Sequence, residues 1–235
     1  MSDTIIVIPN YNHAKYLNEA IDSALAQTYK CDIVVVDDGS TDNSEDIINQ
    51  YGDKVFSILK ENRGPGHTRN IGINFALSKK YDYIQLLDAD DFMLPNKVEK
   101  LKQILDEHRE VGVVYDDYNI LLCDLQTKIE AREYKRSCTP ETLWADNLIH
   151  CNCLVRSTVF KSCQLLEGVY FDEQMRVAQD YDFWLRATTK FIAWHYPEAL
   201  SIVREGANNS AAPIQGKIRK DCMDKLRLRN SGAYT

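Results

Sequence analysis

The first 115 residues alternate short apolar runs with segments of helical periodicity, and this alternation constrains the fold more than any other feature of the chain. The runs are TIIVI (4–8), IVVV (33–36), VFSIL (55–59), YIQLL (83–87) and VGVVY (111–115). Each has the length of a strand, and IVVV is apolar throughout, as strands covered on both faces are. Leu17, Ala20, Ile21, Ala24 and Leu25 recur at the spacing of one helix face. Asp42 and Glu45 have capping-box spacing at the head of a second helix, running to about Tyr51. A third is expected from about Gly66 to Lys79, and Leu94, Val98, Leu101, Ile104 and Leu105 mark a fourth, with Pro95 in its first turn. Strands and helices alternating at this spacing build right-handed β-α-β units around a mostly parallel sheet.

In such sheets ligands bind beyond the carboxyl ends of the strands, and the polar clusters of this chain fall there. They are PNYN, DDGSTD, ENRGPGHTRN and DADD, after the first four strands in turn. The last places Asp88, Asp90 and Asp91 within four positions. Like charges this close repel unless a cation or proton shares the site. One reading is a hard divalent cation, Mg²⁺ or Mn²⁺, which takes one or two protein carboxylates and completes its shell with water and phosphate. The other is a solvated acidic turn in which Asp91 caps the next helix. Asp37 and Asp38 suit hydrogen bonds to a base or ribose, or equally a turn and helix cap. Arg63 and Arg69, beside two glycines and a helix start, suit phosphate. That loop is neither a Walker motif nor G-x-G-x-x-G.

Beyond Asp116 the pattern loosens. Residues 118–134 read as a hairpin, TPETLWADNLI (139–149) as a short helix, and AQDYDFWLRATT (178–189) as a helix with two aspartates. The end, from Gly206, is polar. Lys plus Arg at 28 against Asp plus Glu at 35 gives a net charge of −7, which argues against a non-specific grip on nucleic acid or anionic membrane. The start, MSDTIIVIPNYN, reads as a buried strand rather than a signal peptide, and no stretch reaches the roughly 18 apolar residues of a membrane span. Seven cysteines without C-x-x-C spacing suit reduced thiols in a cytoplasmic protein. His150, Cys151 and Cys153 lack a second ligand pair at zinc spacing and read as core or acceptor-side residues.

Taken together, IVIPNYNHAKYLNEAIDSALAQTY, IVVVDDGSTDNS, ENRGPGHTRNIGINFAL and YIQLLDADDFMLP resemble, in order and spacing, the inverting family 2 glycosyltransferases. GVYFDEQM and AQDYDFWLRA are similar to that family's segments before and around the catalytic base, so the resemblance spans about residues 4–204. It implies a GT-A fold, a Rossmann-like three-layer α/β/α arrangement on a mostly parallel central sheet. Residues 1–115 would be the nucleotide-sugar half, 116–205 the acceptor and base half, and 206–235 a tail or peripheral helix.

The same resemblance implies roles for individual residues. Pro9, Tyr11 and Asn12 would line the base pocket; Asp37 would contact the base, with Asp38 or Ser40 supporting the loop. Arg69 would approach the diphosphate or shape its pocket. In the D-x-D of Asp88, Ala89 and Asp90, Asp88 would face ribose and metal and Asp90 would be the more direct metal ligand. Asp180 would be the general base; its bland alternative is a helix cap, with Asp182 pairing with Arg186. The donor implied is a nucleotide diphosphate-sugar, UDP-linked, used with Mn²⁺ or Mg²⁺ by a soluble enzyme, cytoplasmic or peripheral to the inner face of the membrane. The acceptor would be a glycan, lipid-linked sugar or protein, with Trp144, His150, Asn152, Trp184 and Trp194 as candidates for its side of the site. Two departures stand out: Gln179 replaces the usual Glu before the base, and Gly206 stands where a histidine often follows an arginine. They leave open a binding module that has lost turnover. A sugar-phosphate nucleotidyltransferase would need glycines and a basic residue just after the first strand, where PNYNHAKY has no glycine. A glycoside hydrolase would use paired carboxylates without arginines at a nucleotide-like edge.

Overall fold

A computed structural model of the chain describes residues 2–122, 129–132, 149–175, 177–205 and 224. The apolar runs become β1 (Thr4–Asn10), β2 (Asp32–Asp37), β3 (Phe56–Leu59), β4 (Tyr83–Leu86) and the start of β6 (Val111–Leu122). Shorter strands follow: β5 (Phe92–Met93), β7 (Ile129–Arg132) and β8 (Leu154–Arg156), and then the long β9 (Ile192–Glu205). The helices are α1 (Ala14–Leu25), α2 (Ser44–Tyr51), α3 (Pro65–Ser78), α4 (Lys97–Glu107), α5 (Ser157–Cys163) and α6 (Gln179–Thr188). All the described strands join one sheet in the order β3-β2-β1-β4-β8-β6-β9-β5, with β7 beside β6. β1 to β4, β6 and β9 run one way; β5, β7 and β8 run the other. The hairpin expected over 118–134 is the β6–β7 pair.

Alternate residues of each strand feed opposite layers. Ile5, Val7, Val34, Val36, Ile84 and Leu86 pack with residues of α3, α5 and α6. Ile6, Ile8, Ile33 and Val35 pack with Leu17, Ala20, Ile21 and Ala24 of α1, Ile48 of α2 and Val98 of α4. Burial on both faces is why these strands read as continuous apolar runs. Gly72 marks how closely α3 approaches the sheet: a Cβ there would lie 2.3 Å from Val7 Cγ1 and 3.3 Å from Val36 Cγ2.

Three local expectations are corrected. Leu25 is 41% exposed because α1 ends there and its buried face stops at Ala24. Pro95 precedes the N-cap Asn96 rather than entering the first turn of α4, and its carbonyl accepts from Thr28 N at 2.7 Å. The capping box at Asp42 does not form, since α2 starts at Ser44 behind Asn43. Asp42 instead accepts from Ser44 N and Oγ (3.0 and 2.6 Å) and from Ala14 N (2.9 Å), tying together the starts of two helices. Of TPETLWADNLI, residues 139–148 lie outside the described residues.

β9 was not legible as a strand, since AWHYPEALSIVRE carries a proline at its centre. It pairs in parallel with β6, and register shifts around Asp116 and Asp117 leave Pro197, Glu198 and Leu200 out of the ladder. A bulge is where a sheet tolerates proline. The irregularity turns Leu200 N towards Asp116 Oδ2 at 3.1 Å. Asp116 is fully buried, as is Lys97, whose Nζ lies 2.9 Å from Asp116 Oδ1. Ser201 Oγ donates to Asp116 Oδ2 (2.8 Å) and His150 Nε2 lies 3.1 Å from Oδ1. His150 Nδ1 accepts from Asn152 N at 3.2 Å, so Nε2 carries the proton and donates to Asp116. An interior ion pair holds only when its remaining donors and acceptors are also paired, and here α4, β6, β9 and the 150–152 segment pair them.

Two outcomes are expected. Gly72→Ala should cost about 1–3 kcal/mol by overpacking against Val7, seen as a fall of roughly 2–4 °C in Tm per kcal/mol for a chain of this size. Burial alone would raise the Asp116 pKa, but Lys97 and His150 hold it down to about 2, below its ordinary 3.8. A folded value below the unfolded one gives stability present above about pH 4 and lost as pH falls towards 2, about 2 kcal/mol in all. Denaturant midpoints between pH 5 and 2 should therefore lose part of their acid slope in Asp116→Asn, a variant also weakened at neutral pH because Lys97 is left unpaired. An unchanged slope would contradict this placement.

Candidate active site

The four polar loops meet at the carboxyl edge of β1 to β4, and buried carboxylates brace them. Asp37, ending β2, accepts from Asn10 Nδ2 (2.6 Å), Ser40 Oγ (2.6 Å) and Ser40 N (2.9 Å). Three of about four acceptor positions of that carboxylate are thereby filled. Asp38 accepts from Arg63 N and Gly64 N, both at 2.8 Å, and from Lys60 Nζ, so it fastens the loop after β3 to the loop after β2. Gly39, at φ +69°, permits that contact, since a Cβ there would lie 2.9 Å from Asn62 N. Asn12 sits at φ +56°, a region asparagine tolerates. Its Oδ1 accepts from Thr41 N (2.7 Å) and its own N–H donates to Ser40 Oγ (2.9 Å). Pro9 is half-buried in β1 and Tyr11 is 44% exposed beside these loops.

α3 brings the next components. Its consecutive Arg69 and Asn70 are both buried and serve different partners. Arg69 Nη2 donates to Asp88 Oδ1 at 2.6 Å and the guanidinium lies 5.9 Å from the centroid of the Phe171 ring, while its Nε has no hydrogen-bond partner. Burial opposes its charge, but Asp88 and, behind it, Asp180 outweigh that and raise its pKa. Asn70 Oδ1 accepts from Tyr170 N (3.1 Å) and Phe171 N (2.9 Å), and its Nδ2 donates to Phe171 O (2.9 Å). Asn74 Nδ2 donates to Gly168 O at 2.9 Å. The GVYFDE segment is thus docked along α3, and it leads directly towards α6. Arg63 differs from Arg69: it is exposed, with Glu173 3.9 Å away.

α6 begins after Ala178, which has a left-handed φ of +59°. Asp180 and Asp182 lie in its first turn. Asp182 pairs with Arg186 at 2.8 Å, and Arg186 also donates to Tyr170 O (2.5 Å) and Cys163 O, so that aspartate is structural. Asp180 is partly buried; burial pushes its pKa above the ordinary 3.8, Arg69 pulls it back and Asp88 adds to the rise. Phe183, Trp184 and Leu185 are buried in the core behind it. Gln179, in place of the family's Glu, is buried with its Oε1 unpaired.

Asp90 is partly buried and its carboxyl is raised by burial and by Asp88, with His13 and Arg204 pulling the other way. Ala89 between them is buried. Asp91 does not cap α4: it accepts from Asn152 Nδ2 (2.6 Å) and Arg204 N (2.9 Å), and burial, Asp90 and Asp88 push its pKa well up. Among the described residues no three His, Cys, Asp or Glu side chains form a ready metal cage. Asp88 and Asp90 nevertheless fit a hard cation that uses one or two carboxylates, which would relieve the repulsion that raises Asp90.

The structure therefore brings Arg69, Asp88, Asp90 and Asp180 to one cluster, with Pro9 and Asp37 at the ends of β1 and β2 and Tyr11 and Asn12 on the loop after β1. The acceptor-side candidates separate. Trp184 is core, Trp194 stacks on His108 at 4.7 Å, His150 and Asn152 belong to the network below the D-x-D, and Trp144 lies outside the described residues. Cys151, half-buried, lies close enough to Arg69, Asp88 and Asp180 to feel their charges, and burial pushes its thiol up and keeps it neutral. His195 bonds Asp117 at 2.8 Å and stacks on Tyr115, and Gly206 is outside the described residues. Lys97 and Arg204 escaped sequence reasoning because each acts through partners far off in the chain.

The family model described as "Glycosyl transferase family 2" matches residues 5–162. An uncharacterized glycosyltransferase of Rickettsia typhi is 39% identical over 190 residues, 77% of this chain and 57% of the relative. The chain thus spans just over half the length of that relative. S. aureus TarS (residues 1–349), solved in complex with UDP-GlcNAc, superposes with a TM-score of 0.76 at 19% identity, covering 97% of this chain and 67% of that one. The mannosyltransferase PcManGT of Pyrobaculum calidifontis, solved with GDP-Man and Mn²⁺, gives 0.61 at 17%, covering 99% and 65%. With its α/β sheet and its site on the carboxyl edge, the chain has the GT-A fold and belongs to glycosyl transferase family 2.

Proposed function

We propose that the chain transfers a sugar from a nucleotide diphosphate-sugar, UDP-linked, to an acceptor hydroxyl by single displacement with inversion. The observation that carries this is the convergence of Arg69, Asp88 and Asp180 from three separate elements, with a base carboxyl raised by burial. UDP-GlcNAc in TarS and GDP-Man with Mn²⁺ in PcManGT support a nucleotide-sugar donor and a divalent metal. The β1 and β2 loops, with Pro9, Tyr11, Asn12 and the remaining acceptor position of Asp37, take the nucleotide. Residues 116–205 supply the base and face the acceptor, a hydroxyl of a glycan, lipid-linked sugar or protein. Among the described residues no helix is long and apolar enough to cross a membrane.

In this mechanism Arg69, already buried and charged, stabilises the negative charge that grows on the leaving diphosphate. Asp90 and Asp88 would hold Mn²⁺ or Mg²⁺, which would supply Lewis-acid stabilisation of the same charge. Asp180 takes the proton of the attacking hydroxyl, and its raised pKa moves it towards a useful base strength. Inversion follows from attack opposite the departing diphosphate.

Calorimetry of UDP with and without Mn²⁺ tests the binding half: metal-enhanced affinity in the wild type, lost in Asp90→Ala, is expected. Asp180→Asn should keep UDP binding and lose about 10²–10⁴-fold in kcat. Because Asp180 must be ionised to act, wild-type rates should fall as pH drops through its raised pKa. Nucleotide binding with no transfer to any acceptor and no donor hydrolysis would instead identify a binding module.

A further inference from the structure

Asn152 is 1% exposed and every polar group it has is bonded. Its N–H donates to His150 Nδ1 at 3.2 Å and its carbonyl accepts from Lys97 Nζ. Its Oδ1 accepts from Asp88 N at 2.9 Å and its Nδ2 donates to Asp91 Oδ2 at 2.6 Å. These partners fix the amide orientation, since a flip would set Nδ2 against an N–H and Oδ1 against a carboxylate. The turn from Asp88 to Asp91, closed by Asp91 N to Asp88 O at 3.1 Å, is also held by Arg204, which bonds Asp90 O (2.6 Å) and Asp91 Oδ1 (2.9 Å). None of these bonds uses the Asp88 or Asp90 carboxylate.

We infer that Asn152 is a positioning residue for metal-diphosphate binding. One amide fixes both ends of the turn that presents Asp88 and Asp90, and its main chain refers that turn to the interior Lys97–Asp116 pair. This rests on the metal-dependent reading of the D-x-D proposed above. Side-chain placement within a fraction of an ångström is what such a site needs. A residue acting through the turn should therefore alter metal-dependent binding more than nucleotide binding itself.

The geometry supplies a reciprocal test. Asn152→Asp alone keeps the bond to Asp88 N but sets a carboxylate against Asp91. Adding Asp91→Asn restores the pairing: the new amide donates back to residue 152, its oxygen accepts from Arg204 N, and net charge is conserved. Calorimetry with UDP, with and without Mn²⁺, and circular dichroism for folding would be run on wild type, Asn152→Asp and the double variant. Expected are a tenfold or greater loss of Mn²⁺-dependent affinity in Asn152→Asp, a change below twofold without metal, and recovery to within about fivefold in the folded double variant, an order-of-magnitude expectation for a displaced charge. Wild-type metal dependence retained by Asn152→Asp, or a folded double variant that does not recover, overturns the inference alone. If Asn152→Asp fails to fold, the double variant decides. A wild type that binds UDP without regard to Mn²⁺, or not at all, overturns the metal reading and this inference with it.

Discussion

The interior pairing of Lys97 with Asp116 is the constraint on which the rest of the site depends. Neither side chain reaches solvent, so each needs its full set of partners inside the protein. Those partners come from α4, β6, the irregular stretch of β9 and the 150–152 segment. Satisfying two charges therefore ties α4 to β6, β9 and the 150–152 segment. The D-x-D turn lies one residue away, through Asn152.

The carboxylates at this edge divide by function, and the division follows from their donors. Asp37, Asp38, Asp42, Asp91 and Asp182 are engaged by main-chain N–H groups or by neighbouring side chains, and they hold loops and helix starts in place. Asp91 is raised by burial, but Asn152 and Arg204 already occupy its carboxylate; Asp90 and Asp180 are raised by burial too, with cations partly opposing the rise. Groups held that way are suited to meeting a proton or a metal. Asp88 bridges the two sets: its main chain is fixed by Asn152 while its carboxylate meets Arg69.

How much of this was legible follows from the range of each interaction. The first four strands and α1 to α4 announce themselves because period and burial are local properties, and the D-x-D is visible as a charge cluster. Arg69 and Asp180 were placed through motif order; no composition or periodicity argument would have joined residues on α3 and α6. β9 was hidden because its bulge accommodates Pro197 and breaks the alternation by which strands are recognised. Lys97 looked like an ordinary polar residue in the first turn of a helix, since its partner Asp116 sits in another element and Asn152 and Ser201 lie 55 and 104 residues away. Asn152 carried no signal of its own beyond a polar residue among cysteines, and Asp91 read as a cap because the strand that claims it could not be seen.

Arg204 gives the architecture an order in time. Near the end of β9 it bonds Glu19 on α1, 185 residues earlier, lies over the rings of Tyr16 and Phe92, and holds Asp90 and Asp91 from behind. Contacts of such sequence separation are closed late, after the loops they enclose have lost their freedom. A ribosome-bound chain short of β9 would already carry the first four strands and the acidic turn, but without the arginine that secures the turn to α1. The acidic turn is thus formed at one point of synthesis and secured to α1 at a later one.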